Sequence, residues 1–149
     1  FNFSYPEPMG VVSAVAPNGS SLIGLVSIVA PIIAGGNTVV VLASEEKPLC
    51  SITFAEVLHT SDVPGGVVNI LTGHRSELLE HFSSHMDVNA IVYCGSEPEE
   101  IKLVQENAAL NVKRPIVYSD EDWLDKNVQD PYRILNTLET KTTWYPVGV

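Results

Sequence analysis

The chain has 149 residues and a formal net charge of −10, with 18 acidic and 8 basic side chains. Such an acidic surface repels nucleic acid phosphates and anionic membranes, so we expect neither as a partner. An apolar content of 45% with only 17% charged residues argues against disorder and is typical of a single folded domain.

The first predicted element is a short apolar strand over residues 11–16, followed by a Pro-Asn-Gly turn. Strands that are apolar on both faces are typical of parallel sheets. The next element is a helix that ends at Ala34 before two glycines, with Ser20 or Ser21 as its expected N-cap. Its apolar run, residues 22–34, contains a proline and is shorter than the roughly 20 residues that span a membrane. We therefore expect a buried helix.

The middle of the chain continues the alternation of strands and helices. Strands are predicted at residues 38–42, 67–71, 89–94 and 115–118, with helices at residues 44–60, at residues 76–84 and from residue 97. In the last helix, the buried face is expected to carry Ile101, Val104, Gln105 and Ala108. Five strands alternating with helices imply a doubly wound, Rossmann-like α/β fold with a parallel sheet and helices on both faces.

The alternation stops after residue 118. An acidic loop, a helix over residues 131–139 and a short strand over residues 143–145 are predicted to complete the chain. We expect residues 1–118 to form a cofactor-type domain, and residues 119–149 to be a C-terminal helix-strand extension of the same globule. The opening residues carry no signal sequence and are expected to be the interior of a longer polypeptide.

Ligands of doubly wound sheets bind beyond the carboxyl ends of the strands, so the turns at those ends are the candidate site. Glu45 follows the second strand, where a carboxylate can accept hydrogen bonds from ribose hydroxyls. Free N–H groups at the turns that contain Gly73, Gly95 and Ser96 are candidates for holding a pyrophosphate. Every fold of this type has such turns, however, and neither the Gly-x-Gly-x-x-Gly nor the P-loop motif occurs.

The cysteines and histidines form no catalytic or metal-binding motif. Cys50 and Cys94 have no base beside them in the sequence, so both are expected to be small core side chains. Two isolated cysteines favour a reducing compartment, and we expect the cytoplasm. His81 and His85 are four residues apart but lack a third ligand, which favours a solvated helix end and no metal.

Residues 8–117 resemble the aldehyde dehydrogenases, most clearly in Ala-Gly-Gly-Asn-Thr-Val-Val-Val at residues 34–41 and in residues 65–73. The resemblance implies that Glu45 corresponds to the family's glutamate on the adenosine ribose, and that Gly95 and Ser96 lie at the pyrophosphate. The family's lysine three residues before that glutamate is Leu42 here. Gly19 occupies the position of the family's oxyanion-hole asparagine, with Asn18 one residue away.

The motifs that carry the family's chemistry do not occur. Residues 111–117 run past the position of Glu-Leu-Gly-Gly-Lys, which bears the general base, and no Gly-Gln-x-Cys nucleophile motif follows. Acyl transfer needs a thiolate, a base and oxyanion donors placed together, so we predict no catalysis. Residues 138–146 look like a segment from the end of the family's catalytic domain. This layout resembles the truncated carboxy-terminal module of the sixteenth aldehyde dehydrogenase family.

The resemblance implies a non-catalytic structural and interaction module with no cofactor, or with weakly bound NAD. Its implied partners are its own amino-terminal dehydrogenase region and the dimer mate. Two alternatives remain open from the sequence. One is a regulatory domain that binds NAD without chemistry, and the other is the cofactor half of an aldehyde oxidoreductase completed by another chain.

Overall fold

A computed structural model describes residues 1–146 and Gly148, and its centre is a five-stranded parallel sheet. The strands are β2 (Val11–Val15), β3 (Thr38–Leu42), β4 (Val68–Leu71), β5 (Ala90–Cys94) and β6 (Arg114–Tyr118). Their spatial order is β4-β3-β2-β5-β6, so the order reverses between β2 and β5. The predicted doubly wound α/β fold is confirmed, and each strand begins and ends within one residue of its predicted bounds.

Four helices cover the sheet: α1 (Ile23–Ala34), α2 (Leu49–His59), α3 (Arg75–Ser84) and α4 (Pro98–Leu110). Helix α1 packs on one face of the sheet, together with Phe54 of α2. Helices α3 and α4 pack on the other face through Leu79, Phe82 and Val104. Both faces of the central strands are therefore buried, which explains their continuous apolar sequences.

Helix α1 is buried as predicted, but its start differs from the prediction. Leu22 is the N-cap, and no side chain caps the helix. The Gly24 N–H donates to the main-chain carbonyl of Ser20 instead. A preceding backbone turn therefore satisfies an N–H group that a serine hydroxyl was expected to bind. At the other end, Gly36 adopts a φ of +86°, a left-handed conformation that favours glycine.

One residue of α4 was placed on the wrong face. Val104 and Ala108 are buried, whereas Gln105 is exposed. Adjacent positions on a helix are about 100° apart, so a residue directly after Val104 points away from the sheet. Gln105 is four residues after Ile101 and three before Ala108, so its spacing alone was compatible with the buried face. Because Val104 faces the sheet, Gln105 faces solvent.

The chain ends form a second, two-stranded antiparallel sheet, called here the ribbon: β1 (Asn2–Pro8) and β7 (Leu138–Trp144). The predicted helix over residues 131–139 is wrong. A 3-10 helix, Pro131–Thr137, occupies most of that range, and β7 begins at residue 138, five residues before the predicted strand. The Asp130 carboxylate accepts from the Tyr132 N–H at 2.8 Å, which favours a tight turn. Pairing with β1 then holds the following residues extended.

Candidate functional site

An open cleft of about 850 Å³ lies at the carboxyl ends of the parallel strands. The turns after β2, β3 and β5, the start of α3 and the loop after β6 line the cleft. Of the predicted site residues, Glu45, Gly95 and Ser96 line it together. Gly73 is not among the lining residues. A Cβ at Gly73 would lie 2.8 Å from a methyl group of Leu78, so this glycine permits close packing.

The Glu45 carboxylate is already engaged by two groups of the same chain. One oxygen lies 2.7 Å from His74 Nδ1, and the other accepts from the Arg75 backbone N–H at 3.0 Å. The hydrogen bond from His74 and the Arg75 N–H lower the pKa of Glu45, and the same contact raises the pKa of His74. Glu45 thus supplies negative charge at the start of α3, where a phosphate would otherwise be favoured.

Arg75 belongs to the candidate turn that contains Gly73, but the sequence prediction gave it no role in the site. Its Nη2 donates to the carbonyl oxygens of Ala16 at 2.6 Å and Cys94 at 3.2 Å, at the ends of β2 and β5. Its Nη1 lies 3.7 Å from a carboxylate oxygen of Glu100, and its guanidinium carbon lies 5.8 Å from the centre of the Tyr93 ring. Only 11% of the Arg75 side chain is exposed. A signal for its role was available, since Arg75 lies in the same turn as Gly73 in a chain that is poor in basic residues.

Gly95 has a packing role that the structure explains directly. The Tyr93 hydroxyl donates to Glu100 at 2.5 Å, and a Cβ at Gly95 would lie 2.6 Å from that hydroxyl. Burial, followed by the Glu100 carboxylate, raises the pKa of Tyr93. The Gly95 N–H donates to the Tyr118 carbonyl at 3.1 Å. This N–H is therefore engaged and is not free to bind a pyrophosphate.

Charge in the cleft is strongly negative. The cleft is lined by one guanidinium, that of Arg75, by the His74 imidazole and by six carboxylates, of which that of Glu45 is paired with His74 and that of Glu121 with Arg133; the six are those of Glu45, Glu46, Glu97, Glu100, Asp120 and Glu121. Clefts lined by one sign of charge concentrate ions of the opposite sign. The cleft therefore favours cations over the phosphates of a dinucleotide.

Neither cysteine has the surroundings of a nucleophile. Cys94 is 1% exposed, and burial raises the pKa of its thiol to about 12. Its contribution to the cleft is the carbonyl oxygen that accepts from Arg75. Cys50, predicted to be a core side chain, is instead exposed. The adjacent Ser51 is the fully buried residue of α2, so the helix turns Cys50 toward solvent.

The remaining candidates lie outside any catalytic arrangement. Asn18 accepts from the Glu45 N–H through its side-chain oxygen at 3.1 Å, which fixes the turns after β2 and β3 against each other. His81 and His85 are both exposed, as expected for a solvated helix end. Within residues 1–146 and Gly148, no group of three potential metal ligands occurs. In the same part of the chain, no helix has the length and apolarity needed to cross a membrane.

The doubly wound sheet and the cleft at its switch point define an α/β domain of the nucleotide-binding type. The sequence profile of the aldehyde dehydrogenase family matches residues 1–118. "Aldehyde dehydrogenase, cytosolic 1" of Elephantulus edwardii is 35% identical over 140 residues, which cover 87% of this chain and 28% of that protein. "Aldehyde dehydrogenase 1A1" of Homo sapiens is 36% identical over 115 residues, covering 76% of this chain and 23% of that protein.

Solved structures agree with this comparison. Aldehyde dehydrogenase C of Pseudomonas syringae, solved with NAD+ and octanal, superimposes with a TM-score of 0.76 at 34% identity. The match covers 79% of this chain and 24% of that protein. The chain therefore belongs to the aldehyde dehydrogenase family. It spans about a quarter of the length of these relatives.

Proposed function

We propose that the chain is a non-catalytic aldehyde-dehydrogenase-like module that serves structure and interaction, of the kind found at the carboxy-terminal end of the sixteenth aldehyde dehydrogenase family. The proposal rests on the observation that polar groups lining the cleft are already bound by other groups of the same chain. Glu45 is bound by His74 and by the Arg75 N–H, and Arg75 itself is bound at the ends of the two central strands. The groups that a cofactor would contact are used to hold the domain together.

The chemistry of aldehyde oxidation also lacks its parts. The reaction needs a thiolate, and a thiol with a pKa of about 12 stays protonated near neutral pH. Cys50 is not among the residues that line the cleft. The family's general-base motif does not occur in the sequence. We therefore expect no aldehyde oxidation by this chain.

Binding of NAD is expected to be weak or absent. The six carboxylates of the cleft repel a pyrophosphate, and the Gly95 N–H is engaged by Tyr118. Losing the family's lysine at Leu42 removes one charge-assisted hydrogen bond, about 1.5–3 kcal/mol. The likeness to an enzyme solved with NAD+ supports the alternative function, a regulatory domain that binds NAD without chemistry.

An interaction role is supported by the exposed aromatic face of the ribbon. Phe1, Phe3, Tyr5 and Tyr145 are exposed, and the rings of Phe1, Tyr5 and Tyr145 surround that of Phe3 at centroid separations of 5.8, 5.5 and 6.4 Å. Trp144, 70% exposed, pairs with Asn2 and therefore lies on the opposite face of the ribbon. Contiguous exposed apolar surface is typical of a protein interface. We propose that the partners are an amino-terminal dehydrogenase region of the same polypeptide and the dimer mate, in the cytoplasm.

The two edges of the ribbon differ in what they offer a partner strand. Phe1 and Tyr145 exchange backbone hydrogen bonds, so in β1 the even-numbered residues point their N–H and C=O groups to the free edge. Two of these residues are Pro6 and Pro8, which have no N–H to donate. The free edge of β7 carries no proline, but its first carbonyl, that of Leu138, is already bound by Arg114, so the part of this edge that a partner strand can use begins at Thr140. We therefore assign strand addition to the β7 edge.

The proposal is tested by an activity assay and a binding titration on the purified chain. Oxidation of a short-chain aldehyde is measured spectrophotometrically with NAD, alongside a full-length relative as positive control. NAD binding is measured by calorimetry to millimolar concentration. We expect neither oxidation nor binding. Oxidation would overturn the non-catalytic assignment, and binding that is lost in Glu45→Gln would favour the NAD-binding alternative.

The interaction role is tested on the same chain mixed with the dehydrogenase region of its polypeptide. Complex formation is followed by size-exclusion chromatography with light scattering. Replacing both Phe3 and Tyr5 by serine should abolish the complex and leave the fold intact. The matched control is Tyr132→Ser, an exposed aromatic residue outside the ribbon. An undiminished complex in the double variant would contradict docking through the ribbon.

A further inference from the structure

We propose that the floor of the cleft is a guanidinium-binding site, which the chain fills with its own Arg75. Two main-chain carbonyls, one carboxylate and one aromatic ring surround a guanidinium that is 11% exposed. The inference concerns the ligand chemistry of the cleft. It goes beyond the proposed function and stands whether or not the ribbon binds a partner.

The Arg75 guanidinium lies at the switch point of the sheet. Ala16 directly follows β2, and Cys94 is the last residue of β5. The strand order reverses between these two strands. In doubly wound sheets this switch point opens the crevice in which ligands bind. The Arg75 side chain enters this crevice from the start of α3 and thus occupies the place of a ligand.

The carbonyl acceptors are fixed before the guanidinium binds. The Ala16 N–H donates to the Leu42 carbonyl at 2.9 Å, which holds Ala16 in register beyond the end of β2. Cys94 is the last residue of β5 and pairs with Tyr118 of β6. The two carbonyl oxygens are therefore held by the sheet, and both accept from the two N–H groups of Arg75 Nη2.

The Glu100 carboxylate and the Tyr93 ring lie beside the same guanidinium. Glu100 accepts from the Tyr93 hydroxyl, which orients its carboxylate near the Arg75 guanidinium. The Tyr93 ring lies within the roughly 6 Å over which a cation is attracted to an aromatic face. The other carboxylates of the cleft add negative potential. All of these features select a cation, and the two carbonyls select one that carries at least two N–H donors on a single nitrogen.

A consequence follows for any ligand of the cleft. Because Arg75 fills the switch point, another group can reach these carbonyls only after Arg75 has left. Arg75 is therefore an internal plug, and the ligand class that competes with it is a guanidinium, such as an arginine side chain. Anionic dinucleotides meet both the plug and the surrounding carboxylates.

The test removes the plug and supplies its head group in solution. Arg75→Ala is titrated with guanidinium chloride at low millimolar concentrations, with sodium chloride used to keep the ionic strength constant. We expect saturable binding by calorimetry and a rise in Tm of about 2–4 °C. Tetramethylammonium chloride, a cation without N–H donors, should give neither effect, and the wild-type chain should show no rise.

Two further variants make the outcome specific. In the double variant Arg75→Ala, Glu100→Gln, the affinity for guanidinium should fall at least about fivefold, because the carboxylate is lost. In Arg75→Ala, Glu46→Gln, which removes an exposed carboxylate at the rim, the affinity should change little. A folded Arg75→Ala that binds no guanidinium would overturn the proposal, as would one that gains affinity for NAD.

A measurement on the wild-type chain covers the case in which Arg75→Ala does not fold. Arginine side-chain NMR should show separately resolved, slowly exchanging Nη protons for Arg75, because its head group is held by two carbonyls. A single averaged signal would contradict the proposed site. Failure of this test leaves the activity and NAD measurements unaffected, so the proposed function and this inference can fail independently.

Discussion

The side-chain nitrogen of Asn37 donates to the Thr137 carbonyl at 3.0 Å and joins two residues that are 100 positions apart. The Asn37 oxygen accepts from the Gly10 N–H at 2.9 Å, and its nitrogen also lies 3.3 Å from the Ile32 carbonyl. Asn37 and Thr137 are each 2% exposed. One buried amide therefore fastens the end of α1, the start of the sheet and the last 3-10 helix together.

Replacing Asn37 by alanine should destabilise the chain by at least about 2 kcal/mol, since each buried polar group left without a partner costs about 1–3 kcal/mol. The free energy of unfolding is measured by urea denaturation. Asn2→Ala, a change at an exposed asparagine of the ribbon, is the control and should have little effect. Equal stability of the two variants would show that Asn37 does not fasten these elements.

Stability should depend on pH through the Glu45–His74 pair. The contact lowers the pKa of Glu45 below its usual 4.5 and raises the pKa of His74 above its usual 6.5. The stabilisation is fully present between about pH 4.5 and 6.5. It is lost below this window as Glu45 takes up a proton, and above it as His74 releases one. The Tm difference between wild type and Glu45→Gln should therefore be largest inside the window.

The matched control for this profile is Glu46→Gln, because Glu46 is the exposed neighbour of Glu45. Its Tm difference from wild type should stay flat over the same pH range. A Glu45→Gln profile that runs parallel to the Glu46→Gln profile would contradict the role of the pair.

The two cysteines should differ sharply in reactivity. Cys50 is exposed, whereas the Cys94 thiol is buried with a pKa of about 12. N-ethylmaleimide near neutral pH should therefore modify the native chain once, at Cys50, as read by peptide mass spectrometry. Cys50→Ser should remain unmodified until denaturant is added. Labelling of Cys94 in the native chain would show that its surroundings open.

Arg133 should hold the segment after β6 to the sheet. Its guanidinium carbon lies 4.1 Å from the centre of the Tyr118 ring and 5.2 Å from that of Trp123, and Nη2 lies 3.2 Å from Glu121. Arg133→Met should cost about 2 kcal/mol and increase hydrogen exchange in residues 119–137. Lys126→Met, an exposed change in the same segment, is the control. Unchanged exchange in Arg133→Met would contradict this role.

The parallel sheet was predictable because its signals are local. Val39 and Val41 face one side of β3 while Leu42 faces the other, so a short run of apolar residues already identifies a strand buried on both faces. The signal for the end of α1 is also local, because Gly36, two residues after the helix, adopts a left-handed conformation that favours glycine.

The ribbon and the true state of the cleft depend on contacts that are distant in sequence. The partner of β1 lies more than 130 residues away, and the prolines of β1 obscured its alternation of aromatic and polar residues. Glu45 lines the cleft, but its partners His74 and Arg75 follow 29 and 30 residues later in the sequence. Position within a fold can be read from a sequence pattern. Whether a side chain is free or already bound there depends on three-dimensional distances.

The two prolines of β1 have a consequence for assembly. A ribbon that could accept strands at both edges would grow by repeated addition into a fibre. Pro6 and Pro8 remove two of the four N–H donors on the β1 edge, so strand addition is less favourable there than beside β7. The exposed aromatic side chains of the ribbon are therefore compatible with a closed complex of defined stoichiometry.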